Sequence, residues 1–116
     1  MEPGSSAQVK GDDGTAVCPH FHRAIELIGK RWTGAIVVAL TERPMRYAEL
    51  GKAVPGLSDR LLSQRLRELE EEGLVERRVE AGSPVRVTYS LTGVGQELEP
   101  VLGELKSWAR RWKKTS

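Results

Sequence analysis

The chain has 116 residues, of which 39% are hydrophobic and 29% are charged, and its formal net charge at neutral pH is +2. This composition is typical of a small globular domain and excludes a long disordered chain. The first 17 residues contain three acidic residues and one lysine, so the remainder carries a formal charge of +4. A mildly basic domain is compatible with an anionic partner such as nucleic acid.

The cysteine count and the terminal segment indicate the compartment. The single cysteine, Cys18, excludes an intramolecular disulfide and fits a reducing environment. The longest apolar run, residues 35–40, is too short to span a membrane, and the N-terminus has no signal-peptide pattern. Residues 1–16 are rich in Gly, Ser and Asp and predict a disordered N-terminal arm, followed by one domain over residues 17–116. We therefore expect a cytoplasmic protein that does not contact a membrane.

Hydrophobic spacing predicts the first two helices. Pro19 suits a first helical turn because its missing N–H needs no partner there. Phe21, Ile25 and Ile28 then recur at helical spacing. Residues 33–40 are almost wholly apolar, which predicts a buried central helix.

A helix–turn–helix follows in the middle of the chain. Residues 47–53 predict a short third helix, and a Pro-Gly break separates it from a fourth helix over residues 59–72. Ser58 is a good N-cap for the fourth helix, and Gly73 is a suitable residue to end it. We expect three leucines of this helix, together with Trp32, to lie in the core: Leu62, Leu66 and Leu69.

Alternating segments predict a hairpin and then a last helix. Residues 74–79 and 85–91 alternate between apolar and polar side chains, so they predict two antiparallel strands. Thr92 can cap a final helix over residues 95–113. Its apolar stripe comprises Leu98, Val101, Leu102, Leu105, Trp108 and Trp112. The predicted fold class is therefore α+β and mostly helical, a winged helix–turn–helix with a two-stranded wing.

The outward face of the fourth helix indicates DNA recognition. Its first half carries arginine and glutamine, whereas its last turn is acidic and should lie away from phosphates. Arginine can bind guanine, glutamine can bind adenine, and serine can bind either a base or a phosphate. The predicted DNA-binding residues here are Ser58, Arg60, Ser63, Gln64 and Arg67. The alternative is a solvated helix face with intrahelical ion pairs.

Arginines in the hairpin predict phosphate contacts beside this helix. Arg77 and Arg78 lie on the first strand of the hairpin, and Arg86 lies on the second. Arg46, just before the third helix, is a further candidate. The alternative is a strand edge that charge protects from aggregation. The last helix carries a further basic cluster, which the helix dipole explains and for which contact with flanking DNA is the alternative: Lys106, Arg110, Arg111, Lys113 and Lys114.

Apolar residues of the first and last helices predict a homodimer. Paired aromatic residues near the end of such a small chain exceed what one core usually needs. The predicted interface residues are Phe21, Ile25, Ile28, Leu105, Trp108 and Trp112. The alternative is that they form an ordinary intrachain core. A dimer would place two recognition helices in successive major grooves of a roughly palindromic operator.

Cys18 invites two hypotheses of reactive chemistry. A metal site is disfavoured, because His20 points away from Cys18 and His22 in a helix and no later Cys or His supplies a fourth ligand. A redox sensor is a second hypothesis, since a thiol at a helix N-terminus forms a thiolate more readily. The alternative is an inert buried thiol. No phosphate loop or catalytic constellation predicts an enzyme or a cofactor.

Several motifs together resemble the HxlR family of bacterial winged-helix transcriptional regulators, relatives of the MarR group. They are Cys18-Pro19 and residues 29–33, 46–50, 55–58, 61–69, 72–75 and 84–92. The resemblance implies a homodimer, formed through the first and last helices, that binds operator DNA. It also implies that Cys18 matches a cysteine that senses electrophiles or oxidants in several members. The sequence departs from the family at Tyr47, where phenylalanine is usual, and at Lys30, where glycine is common.

We therefore expect a homodimeric, sequence-specific regulator that binds double-stranded DNA and responds to oxidants or electrophiles through Cys18. One rival is a winged-helix adaptor that binds protein instead of DNA. Another is a regulator that responds to a small molecule, although the sequence identifies no effector.

Overall fold

The computed structural model describes residues 18–115, except for the side chain of Thr115, and the arm predicted over residues 1–16 lies outside the described residues. The chain divides after Thr33 into two compact units. The first contains helix α1, Pro19–Ile28, with Cys18 as its N-cap. None of the residues in α1 is buried.

The turn after α1 differs from the sequence prediction at Trp32. Trp32 has a left-handed backbone with φ of 77°, and its side chain is only half-buried. The Arg31 guanidinium carbon lies 5.2 Å from the centroid of the Trp32 ring, in a cation–π contact. Trp32 is therefore not a fully buried core residue, because it lies at the end of the exposed turn of residues 29–31.

Helix α2, Thr33–Glu42, is the apolar central helix that the sequence predicts, extended by two residues. Ile36 and Val37 are completely buried, and Leu40 is almost so. Pro44 follows two residues after the helix, where its missing N–H cannot extend the helical hydrogen bonding.

The helix–turn–helix is formed by α3, Tyr47–Ala53, and α4, Asp59–Glu71. The Ser58 hydroxyl oxygen caps α4 by accepting the Leu61 N–H at 3.2 Å. Gly73 follows α4 with φ of +80°, a left-handed conformation that glycine adopts without steric cost. The three predicted core leucines of α4, Leu62, Leu66 and Leu69, are all buried, and so is Leu50 of α3.

Three strands, numbered β1 (Met45–Arg46), β2 (Val75–Glu80) and β3 (Arg86–Leu91), form an antiparallel sheet in the order β1-β3-β2. Strands β2, Val75–Glu80, and β3, Arg86–Leu91, form the predicted hairpin. The additional strand β1, Met45–Arg46, is only two residues long and pairs with β3 immediately before α3 begins. The wing is thus joined directly to the N-terminus of the helix–turn–helix.

The last predicted helix is divided into α5, Gly93–Gln96, and α6, Leu98–Thr115. The Thr92 hydroxyl accepts the Gly95 N–H at 3.1 Å and donates to the Gly73 carbonyl at 2.6 Å. Thr92 is therefore a helix cap, as the sequence predicts, but it caps α5 rather than α6. The observed elements confirm the α+β, mostly helical winged helix–turn–helix.

Candidate nucleic-acid interface

The outward face of α4 borders a shallow, open depression of about 540 Å³. The six lining residues recur at helical spacing along α4 and include four of the five predicted on or before this helix. They are Arg60, Ser63, Gln64, Arg67, Glu68 and Glu71. The fifth residue, Ser58, precedes the helix and uses its hydroxyl oxygen for the cap, so its proton remains available for a further acceptor.

Arg60 and Arg67 are the exposed cations of this face. Within residues 18–115, neither side chain has an ion pair or hydrogen bond. Their positions, seven residues apart, place them two turns apart on the same side of α4. An extended anionic partner could therefore contact both guanidinium groups at once.

A half-buried ion pair fixes the acidic end of the face. Arg65 Nη1 lies 3.2 Å and 3.3 Å from the two carboxylate oxygens of Glu68. These side chains are only 13% and 23% exposed, so solvent screens the pair less than a fully exposed one. Gln64 Nε2 lies 3.5 Å from Glu68 Oε2, a distance at the outer limit of a hydrogen bond. Sequence reasoning missed Arg65, although its spacing of three residues from Glu68 is an available signal.

Tyr47 connects the two helices of the motif. Its phenolic oxygen lies 2.5 Å from the carbonyl oxygen of Asp59, the first residue of α4. The same oxygen lies 3.0 Å from Ser63 Oγ, on the next turn of α4. Both Tyr47 and Ser63 are half-buried. The sequence patterns predict no role for Tyr47. The one indication they give is that tyrosine stands where phenylalanine is usual in the family.

The register of the sheet separates the predicted phosphate-binding arginines. Arg46 and Arg78 both pair with Thr88 on the central strand, so the three side chains share one face. Arg86 lies two residues from Thr88 on the same strand and therefore on that face. Arg77 pairs with Tyr89 and belongs to the opposite face. We call the surface of Arg46, Arg78 and Arg86 the basic sheet face.

Carboxylates moderate the charge of the basic sheet face. Arg78 Nη2 lies 3.4 Å from Glu76 Oε2, and both side chains are more than half exposed. Glu80 stands directly opposite Arg86 in the register. The face therefore carries an excess of one positive charge, and exposed pairs of this kind can exchange for a phosphate at little energetic cost.

The Glu49 carboxylate binds the backbone at the N-terminus of α3, beside the basic sheet face. Glu49 Oε1 accepts the backbone N–H of Arg46 at 2.8 Å, and Glu49 Oε2 lies 3.4 Å from Arg43 Nη1. The hydrogen bond from Arg46 is the main cause that lowers the pKa of the Glu49 carboxyl, with the charge of Arg43 adding to it and partial desolvation opposing it. The ionised carboxylate thus holds the backbone between β1 and α3.

The residues predicted at a dimer interface are largely exposed in the single chain. On α1, Phe21 is 59% exposed and Ile25 is 53% exposed, while Ile28 is half-buried. On α6, the rings of Trp108 and Trp112 stack with centroids 5.3 Å apart, yet each side chain remains about half exposed. The remaining exposed apolar residues of α6 are Val101 and Leu105. Most of these apolar side chains are therefore exposed in the single chain.

Cys18 is half-buried at the N-terminus of α1, where its carbonyl oxygen accepts the His22 N–H at 2.8 Å. Over the part of the chain that is described, no three His, Cys, Asp or Glu side chains are grouped as a metal site would require. Across that same part, no helix is both long and apolar enough to cross a bilayer.

A capped, arginine-bearing helix beside a two-stranded wing defines a winged helix–turn–helix protein. The chain belongs to the family of HxlR-like helix-turn-helix proteins, which it matches over residues 27–116. It is 47% identical over 96 residues to the uncharacterized HTH-type transcriptional regulator YvaP of Bacillus subtilis (strain 168), covering 83% of this chain and 89% of YvaP. It is 41% identical over 96 residues to the HTH-type transcriptional regulator YodB of the same strain, covering 83% of this chain and 86% of YodB.

Solved structures agree with this assignment. The reduced form of YodB superposes with a TM-score of 0.78 at 38% identity, covering 86% of this chain and 98% of that one. YodB has also been solved after diamide treatment and with bound quinone. The redox regulator HypR, in its reduced form, superposes with a TM-score of 0.78 at 31% identity, covering 83% and 95% of the two chains. The protein is thus a transcriptional regulator of the helix–turn–helix type.

Proposed function

We propose that this regulator is a homodimer that binds a specific double-stranded DNA operator through α4. The observation that carries the proposal is the outward face of α4. There Arg60 and Arg67 are exposed, form no ion pair or hydrogen bond within residues 18–115, and lie beside the polar side chains of Ser63 and Gln64. Arginine and glutamine have the donors and acceptors that distinguish guanine and adenine in the major groove. We assign the protein no catalytic activity.

The charge gradient along α4 determines how the helix would enter the groove. Its N-terminus carries the positive end of the helix dipole and the Ser58 cap, both of which favour a nearby phosphate. Its C-terminal half carries Glu68 and Glu71, which phosphates would repel. The N-terminal half would therefore lie deepest, with the acidic end directed out of the groove.

The basic sheet face would anchor the complex to the DNA backbone. Arg46, Arg78 and Arg86 share one surface, so they can track successive phosphates together. Arg77 lies on the opposite face and would contribute a weaker contact from the exposed edge strand β2. These contacts would raise the affinity for any DNA sequence, whereas α4 would supply the specificity.

The exposed apolar surfaces of α1 and α6 would form the dimer interface. Half-exposed tryptophans and an exposed phenylalanine are the residue types enriched at the centres of protein interfaces. A two-fold dimer would present two copies of α4 to an operator with two inverted half-sites.

Cys18 would make operator binding responsive to oxidants or electrophiles. The thiol lies at the start of α1, one of the two proposed dimer helices, so its modification could change how the subunits associate. The likeness to YodB and HypR supports this role. YodB has been solved after diamide treatment and with bound quinone, and the redox regulator HypR has been solved in its oxidized form. Because the chain has one cysteine, any disulfide would join Cys18 to a second subunit or to another thiol.

Selection from a pool of random duplexes tests the DNA-binding proposal. Wild-type protein under reducing conditions should enrich an inverted repeat whose half-sites are about 10 base pairs apart from centre to centre, one turn of DNA. A pool that stays unenriched would contradict DNA reading and favour the adaptor function, in which the winged helix binds protein.

Diamide treatment tests the role of Cys18. Wild-type protein should change its affinity for the selected operator on treatment and recover it with dithiothreitol, whereas Cys18→Ser should be unaffected. An equal change in both proteins would contradict sensing by this thiol. A change in affinity that requires a small ligand and persists in Cys18→Ser would instead favour the small-molecule-responsive regulator.

A further inference from the structure

The hydroxyl groups of Tyr47 and Ser63 form a chain that ends at a backbone carbonyl. Tyr47 Oη lies 2.5 Å from the Asp59 carbonyl oxygen and 3.0 Å from Ser63 Oγ. A carbonyl oxygen can only accept, so the single phenolic proton of Tyr47 is donated to Asp59. Because that proton is used, the hydrogen bond between the two hydroxyls requires Ser63 to donate its own proton to Tyr47 Oη.

This arrangement leaves Ser63 with acceptor capacity only. A serine hydroxyl normally rotates and serves as donor or acceptor, which is why serine does not distinguish the bases by itself. The usual local alternative is donation to the carbonyl one turn earlier, which for Ser63 is that of Asp59. Tyr47 already donates to this carbonyl, and Tyr47 and Ser63 are both half-buried, so competition from water is reduced.

We infer that Tyr47 sets the base preference of Ser63 by holding its hydroxyl as an acceptor. The inference rests on the proposed function, because it requires the α4 face to lie in the major groove. An acceptor there pairs with an amino group, which adenine presents at N6 and cytosine at N4. Thymine and guanine present carbonyl oxygens at the corresponding positions. At the base that Ser63 faces, the protein therefore prefers adenine or cytosine over thymine or guanine.

The test uses the selected operator and Tyr47→Phe, which keeps the aromatic ring and removes the hydroxyl. The base pair that Ser63 faces is identified as the one at which Ser63→Ala loses discrimination. Dissociation constants are then measured on duplexes carrying each of the four bases there. Wild type should prefer adenine or cytosine by about fivefold, the contribution of one neutral hydrogen bond. In Tyr47→Phe the preference should shrink to within about twofold, because the serine proton can then rotate between the Asp59 carbonyl and a carbonyl oxygen of the base, so that the hydroxyl donates as well as accepts. An unchanged preference in Tyr47→Phe would overturn the inference.

A double mutant separates this role from simple attachment of α3 to α4. Tyr47→Phe should have no further effect on base preference when it is introduced into Ser63→Ala. A merely structural role would instead weaken binding to all four duplexes equally and lower the thermal midpoint, and this result would overturn the inference. A wild-type preference for thymine or guanine at this position would also overturn it. Absence of specific DNA binding by wild-type protein would overturn the proposed function itself.

Discussion

Arg77 and Arg78 are adjacent in the sequence but belong to different surfaces of the molecule. Successive residues of a strand point to opposite faces, and the pairing of β2 with β3 sets Arg77 beside Tyr89 and Arg78 beside Thr88. The same register brings Arg46, from a strand more than thirty residues earlier, into line with Arg78. Composition alone predicts a basic wing, but the register determines which arginines can act together.

Replacement of Arg86 tests the basic sheet face. Arg86→Ala should weaken binding to operator and scrambled duplexes to a similar extent, because a phosphate contact carries no base information. The slope of log affinity against log salt should become shallower by about 0.9, the value for one phosphate contact on duplex DNA. Fluorescence anisotropy across a salt series measures both quantities.

Arg77→Ala is the matched control, since it removes the same charge from the opposite face of the neighbouring strand. It should change the salt slope less than Arg86→Ala. Equal effects of the two substitutions would show that the general charge of the wing, and not the shared face, determines its contribution.

The residues of α4 illustrate how far the sequence predicts the site. Helical periodicity identifies the outward stripe, since Arg60, Ser63, Gln64 and Arg67 line the observed depression together. It does not identify the partners of those side chains. The hydroxyl contact between Tyr47 and Ser63 depends on the angle between two helices, and no pattern within either helix encodes that angle.

At the scale of elements, strong caps and breaks were predictable. The bounds of α3 match the prediction, and those of α4 differ from it by only one residue at the C-terminus. The ends of α4 are predictable because Ser58 caps its first turn and Gly73 adopts the left-handed conformation that follows its last one. Strand β1 was missed because two residues show no alternation, so it forms only through its pairing with β3. The break between α5 and α6 was also missed, since the apolar stripe of the last helix continues across it.

Gly95 allows α5 to approach closely the backbone of Leu74, which lies between α4 and β2. A Cβ atom at this position would lie 2.2 Å from the carbonyl oxygen of Leu74, which is backbone and cannot rotate away. Gly95→Ala should therefore destabilise the fold by about 1–3 kcal/mol, the usual range for overpacking. Gly103→Ala is the control, because nothing lies within 4 Å of its added Cβ, and it should stabilise α6 by about 0.5–1 kcal/mol. Urea unfolding measures both, and equal stabilities would contradict the close approach.

Glu49 should make the stability of the α3 N-terminus depend on pH. Its pKa is lowered in the folded chain, so the carboxylate contributes stability above its unfolded pKa and loses that contribution as pH falls through the folded pKa. Glu49→Gln should therefore unfold at lower urea concentration than wild type at neutral pH, and the difference should shrink in acid. The control is Glu104→Gln on the exposed surface of α6. A difference between wild type and Glu49→Gln that does not vary with pH would contradict the role of the ionised carboxylate.

At the scale of the whole molecule, the exposed apolar residues of α1 and α6 are a stronger indication of a protein partner than the exposed charged residues are, because water solvates charged side chains well. Phe21 and Ile25 on α1, and Leu105, Trp108 and Trp112 on α6, are each about half exposed in the single chain. Several large apolar side chains left exposed on one helix face mark an interaction surface. A second copy of the chain is the partner that would also supply a second α4, which would bind the second half-site of an inverted repeat.

Leu105→Glu tests the dimer. A carboxylate on this surface would be desolvated in the interface, so the variant should sediment as a monomer while its helical circular dichroism is retained. Arg110→Glu, on a different side of α6, introduces the same residue and should remain dimeric. A monomeric wild type, or an undiminished dimer in Leu105→Glu, would contradict the proposed interface.

The claim that α4 reads DNA is tested most directly by one ratio, the dissociation constant for a scrambled duplex divided by that for the selected operator. It is measured at physiological salt for wild type, Arg67→Ala and the control Arg110→Ala. Wild type should favour the operator by at least about a thousandfold, as specific DNA-binding proteins do. Arg67→Ala should lose about 1–3 kcal/mol of that discrimination, the contribution of one arginine–guanine pair. Arg110→Ala should keep the wild-type ratio. A ratio near one in wild type, or the same ratio in all three proteins, would contradict recognition of DNA by this helix.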